Sequence, residues 1–112
     1  MSEVNIVAIL YPASGKLDRM RELMKPMIKS VYEKEDYTLR YMMTEQINHD
    51  SGEPDIVMIE TYKSKDGADQ HTATDYFKEL FGTFEKEGIM AKAPYLAITK
   101  SVQGFDTDRK LI

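Results

Sequence analysis

The sequence predicts an α+β domain built on one four-stranded antiparallel sheet with helices on one face. Three observations predict it. Strand-forming runs alternate with segments of helical period in the order strand, helix, strand, strand, helices, strand. The length of 112 residues suits a single domain. The strands are apolar on both sides, so the sheet has more surface to bury than its own helices can cover.

Val4 to Tyr11 is rich in Val, Ile and Leu, and Pro12 and Gly15 stop it. From Lys16 to Glu35 the period changes: Leu17, Met20, Met24, Met27, Ile28 and Val31 recur at three- and four-residue steps, with charged residues between them. That is an amphipathic helix. Pro26 falls inside it. An interior proline removes a hydrogen bond and costs about 3 kcal/mol, so a kink or a break is expected there. Tyr37 to Ile47 reads as the second strand. Asn48 to Pro54 is dense in turn formers. Asp55 to Tyr62 is the third strand, and Asp66 to His71 forms one or two helical turns. Thr74 is an N-cap for a helix running to about Lys86, with Gly88 near its C-terminus and Phe77, Leu80, Phe81 and Phe84 on its apolar face. Pro94 to Ser101 is the last strand. Residues 1–104 form the domain, and 105–112 a C-terminal tail.

This order gives the ferredoxin-like arrangement. Val4, Ile6, Ala8 and Leu10 share one side of the first strand, but Val7 and Ile9 take the other. Ile56 and Met58 against Val57 and Ile59 repeat the pattern in the third strand. A sheet with one wet face should alternate apolar and polar residues. The simplest cover for the second face is the same sheet of another copy. A homodimer through sheet faces, a dimeric α+β barrel, is therefore expected.

Composition narrows the function. The chain carries 15 basic and 19 acidic residues, a net charge of −4, with no basic stripe, so no nucleic-acid partner is expected. It has no cysteine, hence no disulfide, zinc finger or thiol nucleophile, which fits a cytoplasmic protein. The apolar run after Met1-Ser2-Glu3 is too short and wrongly flanked for a signal peptide or a membrane span, so no membrane partner is expected. Neither a Gly-rich phosphate loop nor a nucleophile elbow is present. The two histidines lie far apart, and no metal site is expected from them.

One stretch concentrates the chemistry. Residues 60–77 read Glu-x-Tyr-x-Ser-x-x-x-Ala-x-x-His-x-x-Thr-x-x-Phe, that is Glu60, Tyr62, Ser64, Ala68, His71, Thr74 and Phe77. A strand carrying a late Glu and aromatic, a short helix ending in His and a Thr-capped helix with an early Phe resemble the antibiotic biosynthesis monooxygenase family. Tyr41 sits where that family often has a tyrosine. The resemblance extends over roughly Asn5 to Gly104. It implies the dimeric barrel, and its members include small quinol monooxygenases and polyketide-tailoring oxygenases that use no metal, haem or flavin. It thus implies no cofactor and a small aromatic hydroquinone or polyketide-type phenol as substrate. The chain departs from some members in having Tyr62 where they have Trp. It departs from the haem-degrading branch in having Phe81 near the place of the iron-ligating His, which argues against haem degradation.

The candidate catalytic residues are His71 and Glu60. His71 at the end of a short helix is placed to accept a phenol proton. Phenol titrates near 10 and His near 6.5, so full transfer runs against about 5 kcal/mol unless the site stabilises the anion. The alternative is that His71 bonds a backbone carbonyl and locks the strand–helix junction. Glu60 lies two residues before Tyr62, so both project from one sheet face. It either holds the imidazole's second nitrogen or forms an ion pair at the surface or dimer edge. Tyr41, Tyr62, Tyr76 and Phe77 are candidate substrate-binding walls, with core or interface packing as the commoner job for such rings. Arg40 pairs with an anionic substrate or is a solvated strand residue, and His49 is a surface turn residue. Three functions remain open on these residues: a cofactor-independent monooxygenase using O₂, a non-catalytic barrel binding an apolar small molecule, and an isomerase or cyclase.

Overall fold

The structure is a computed structural model that describes residues 2–50 and 52–112. Met1 and Ser51, the latter in the expected 48–54 turn, lie outside the described residues. The elements are β1 (Val4–Leu10), α1 (Leu17–Lys34), β2 (Thr38–Glu45), β3 (Ile56–Tyr62), α2 (Lys65–Thr72), α3 (Asp75–Glu87) and β4 (Tyr95–Thr99). The strands form one antiparallel sheet in the order β2-β3-β1-β4. This is the α+β, ferredoxin-like arrangement read from the sequence.

Helix α1 is not broken at Pro26. Met24 and Met27 on either side of the proline are buried, as are Met20 and Val31. Burial of such side chains stabilises by about 1.5–3 kcal/mol each, more together than one lost backbone bond costs. Gly88 closes α3 in the left-handed conformation with φ 62°, a geometry that favours glycine.

The register sorts the side chains between two faces. Ile6 stands opposite Glu60 and Ile98, Ala8 opposite Met58 and Leu96, and Tyr41 opposite Glu60. These share the face on which the helices pack, and the core of Leu10, Ile56, Met58, Met20, Met24 and Phe84 lies there. Val7 and Ile9 pair with Ile59 and Val57 on the opposite face. None of these four belongs to the buried core, and all are only partly buried. A bulge between Thr38 and Arg40 leaves Leu39 unpaired with β3. It switches the alternation of β2, so that Tyr41 rather than Arg40 points under the helices.

The chain beyond β4 passes under the uncovered face. Asn5 Nδ2 donates to Ser101 Oγ at 3.1 Å, and Arg40 pairs with Asp106 at 3.2 Å. Phe105 then bridges Leu111 in a short antiparallel turn whose apolar side chains are exposed. No helix among the described residues is long and apolar enough to cross a membrane.

Candidate active site

His71 stands in the last turn of α2, and local sequence sets it there. Ser64 caps the helix by accepting from Gly67 N at 3.4 Å. A Cβ at Gly67 would come within 3.1 Å of the Tyr37 ring, so glycine permits this close approach of α2 to the chain entering β2. Beyond the helix, Thr74 Oγ1 donates to His71 O at 2.8 Å and accepts from Phe77 N at 3.3 Å, which fixes the junction between α2 and α3.

The imidazole is 2% exposed and meets Glu35, itself 3% exposed, at the C-terminal end of α1. Nδ1 lies 2.9 and 3.1 Å from the two Glu35 oxygens. The same carboxylate accepts from Thr38 Oγ1 at 2.8 Å and from the Tyr76 hydroxyl. A carboxylate has no proton to give, so Nδ1 carries the hydrogen and the neutral ring keeps its free lone pair on Nε2. Burial pushes the His71 pKa below its ordinary value, against the opposing pull of Glu35.

A second carboxyl lies across the sheet. Glu60 is 6% exposed, and the Tyr62 hydroxyl donates to its Oε1 at 2.5 Å. Burial raises its pKa to about 7, aided by the charge of Glu35 and opposed by the Tyr62 hydrogen bond. The rings of Tyr41, Phe77 and Tyr62 surround the imidazole with centroids at 5.2, 5.3 and 5.5 Å. Burial also raises the phenol pKa values of Tyr41, Tyr62 and Tyr76, keeping all three protonated.

A cavity of about 490 Å³ lies between the sheet and helices α2 and α3, with apolar walls that include Ile6, Leu80, Phe81, Leu96 and Ile98. His71, Glu60 and Tyr41 also line it. His71 Nε2, Glu60 Oε2 and the Tyr41 hydroxyl make no hydrogen bond among the described residues, yet no unpartnered side-chain polar atom there is sealed from open space. All three residues line the cavity, and these atoms are not sealed from open space. The one lysine on the lining, Lys65, pairs with Asp69 at 2.5 Å and is exposed. Among the described residues no three His, Cys, Asp or Glu gather as a metal site.

The structure brings His71, Glu60, Tyr41 and Phe77 to one cavity. Tyr62 and Tyr76 do not line it; they brace Glu60 and Glu35 from behind. Glu60 does not hold the imidazole's second nitrogen, because the Tyr62 hydroxyl occupies it and Glu35 has taken that place. Nor does His71 Nδ1 bond a backbone carbonyl. Arg40 points to the uncovered face and pairs with Asp106, and His49 is exposed. Glu35 escaped the sequence reading. Its signal was an acidic residue at the negative end of a helix, unfavourable there unless a buried partner holds it.

No protein-family model matches the chain, and no curated protein does. Solved structures match throughout. A putative antibiotic biosynthesis monooxygenase from Caulobacter crescentus CB15 is 24% identical with TM-score 0.81, covering 91% of this chain and 92% of its own. A conserved protein from Methanosarcina mazei Go1 is 22% identical with TM-score 0.79, covering 91% and 95%. A putative antibiotic biosynthesis monooxygenase from Nitrosomonas europaea is 15% identical with TM-score 0.79, covering 89% and 90%. At these identities the likeness establishes architecture, and the chain has the fold of the structures so named.

Proposed function

We propose that the protein is a cofactor-independent monooxygenase that oxidises a small aromatic hydroquinone or polyketide-type phenol with O₂. The observation that carries this reading is His71: a buried imidazole held by Glu35 through Nδ1, with Nε2 making no hydrogen bond among the described residues, on the wall of an apolar cavity. The names of the structural neighbours from Caulobacter crescentus and Nitrosomonas europaea point the same way. A binding protein of this fold has no need to hold an imidazole in one tautomer inside a ring of aromatic side chains.

A phenolic substrate donates its hydroxyl to Nε2. As the proton moves, the Glu35 carboxylate stabilises the imidazolium through Nδ1–H. The lowered His71 pKa widens the gap to phenol, so the anion needs donors of its own. The Tyr41 hydroxyl and the Glu60 acid are the donors at hand. The electron-rich anion passes one electron to O₂, and the radical and superoxide join through a new C–O bond. The resulting peroxide is protonated and loses water, leaving a carbonyl. The aromatic walls keep solvent from the intermediate. A cavity of about 490 Å³ suits a substrate of two or three fused rings.

The protein works in this reading as a homodimer through the uncovered sheet face. The support is the row Val7, Ile9, Val57 and Ile59, bordered by the exposed Met42. A cytoplasmic location accords with the lack of cysteine. Oxygen uptake by metal-free protein with a panel of hydroquinones and anthrones tests the reading. Uptake above autoxidation that vanishes in a folded His71→Ala variant is the expected result, and uptake equal to buffer for every compound overturns it.

A further inference from the structure

Two residues on the cavity wall stay outside the oxygenation: Met58 of β3 and Met24 of α1. The chain has no cysteine, and among the described residues their thioethers are the only sulfur on the lining. Such a sulfur is soft and polarizable, and it takes an oxygen atom from a peroxide to become a sulfoxide. Strand spacing sets Met58 beside the polar groups. It precedes Glu60 by two residues, so both side chains leave β3 on one face, about 7 Å apart along the strand. Met24 comes from the helix layer. It is one of three buried methionines on α1, with Met20 and Met27, and of the three it alone lines the cavity. All four side chains are at most 3% exposed. Burial therefore shields them alike from an oxidant in solution, and the cavity is what sets Met24 and Met58 apart.

We propose that Met58 and Met24 are oxidised to methionine sulfoxide by the protein's own chemistry, when a substrate hydroperoxide held in the cavity gives its outer oxygen to a thioether sulfur instead of losing water. The sulfur lone pair forms the new S–O bond as the O–O bond breaks. The proton of the outer oxygen passes to the inner one, which stays on carbon as an alcohol. The sulfur is oxidised by two electrons and the peroxide reduced by two, so each sulfoxide leaves one substrate alcohol in place of one carbonyl product. The apolar walls keep the hydroperoxide from solvent, which leaves these two sulfurs as the oxygen acceptors on its wall. The sulfoxide is polar and sits in an apolar wall, so its formation weakens the hold on an aromatic substrate, and oxygen uptake slows as it accumulates. The lesion is on the reversible rung of methionine oxidation, where methionine sulfoxide reductases restore the thioether.

The inference rests on the oxygenase reading, and one experiment separates the failure of either. The intact protein turns over under ¹⁸O₂ with the hydroquinone or anthrone that gives the fastest uptake. Catalase and free methionine in the buffer intercept peroxide that escapes. Peptide mass spectrometry then reads ¹⁸O at each methionine, and sulfoxide formed during handling carries no label. Labelled sulfoxide at Met58 or Met24 at least about tenfold above that at Met20 and Met27 is expected, matched by substrate alcohol and by uptake that slows in step with it. Uptake with no label at Met58 or Met24 overturns the proposal and leaves the oxygenase. Equal label at all four methionines overturns it too, since the oxidant then acts without regard to the cavity. No uptake with any compound of the panel overturns the oxygenase and this inference together. The comparison is made within the wild-type protein and needs no variant to fold.

Discussion

The two faces of the sheet are made from alternate residues of the same strands, and they break opposite rules. The helix-covered face should be apolar, yet Glu60 is buried there, and Glu35 and His71 are buried in the layer against it. The uncovered face should be polar, yet it shows Val7, Ile9, Val57 and Ile59 with no helix above them. Each buried polar group on the covered side has partners, and without them the burial would cost about 1–3 kcal/mol per group, more for a charge. The uncovered face offers the complementary lesson: its apolar row gains stability only when a second surface covers it.

Changes to the covered face should alter chemistry, and changes to the other face should alter assembly. The largest effect is expected from His71→Ala, a fall in oxygenation of about 10²–10⁴-fold with secondary structure retained, checked by steady-state oxygen uptake and circular dichroism. Ile59→Asp should do the converse. It places a charge in the apolar row, and light scattering at micromolar concentration should report a monomer for this variant against the dimer proposed for the wild type. A dimer that survives this substitution would break the comparison.

Glu60→Gln sharpens it through pH. Glu60 is held at about 7 in the folded protein against 4.5 ordinarily. Below 4.5 both folded and unfolded states are protonated and nothing is lost. As the pH rises to about 7 only the unfolded state gives up the proton, so stability falls by roughly 3 kcal/mol and is level above that. The groups facing Glu60 are Tyr62 on its own strand, Tyr41 on β2, Glu35 after α1 and His71 on α2. The lowered His71 acts the other way, losing stability as pH falls through its ordinary range. The test is therefore the difference between wild type and Glu60→Gln in denaturant titrations at pH 4.5 and 8. The variant should gain relative stability at the higher pH.

Glu35→Gln comes next, with a loss of about 1–3 kcal/mol in chemical denaturation, because an amide nitrogen must face one of three donors. Thr74→Ala removes the cap of α3 and the tie to His71 O, and should lower stability by about 1 kcal/mol with the substrate affinity little changed.

Much of this molecule was legible in the sequence because its signals are local. The helical period of Met20, Met24, Met27 and Val31 and the caps at Thr74 and Gly88 read directly into elements. The placing of Glu60 and Tyr62 on one face followed from strand alternation alone. What stayed hidden depends on long-range pairing. Glu35 reaches His71 across a sequence separation of 36, and nothing in the residues around it names that partner. The bulge at Leu39 decides whether Arg40 or Tyr41 faces the cavity, and a strand pattern carries no mark of such a slip. The cost of Pro26 is visible in the sequence, while the methionine packing that keeps α1 unbroken there is a property of the fold.

The central claim is that the cavity inserts one atom of O₂ into an aromatic substrate. The most direct measurement is the mass of the quinone formed from a hydroquinone or anthrone that supports uptake, under ¹⁸O₂ in unlabelled water, with autoxidation subtracted. The account predicts one ¹⁸O per turnover in the product, with no labelled product above background from folded His71→Ala. Product without ¹⁸O, or the same labelled yield from both proteins, would contradict it.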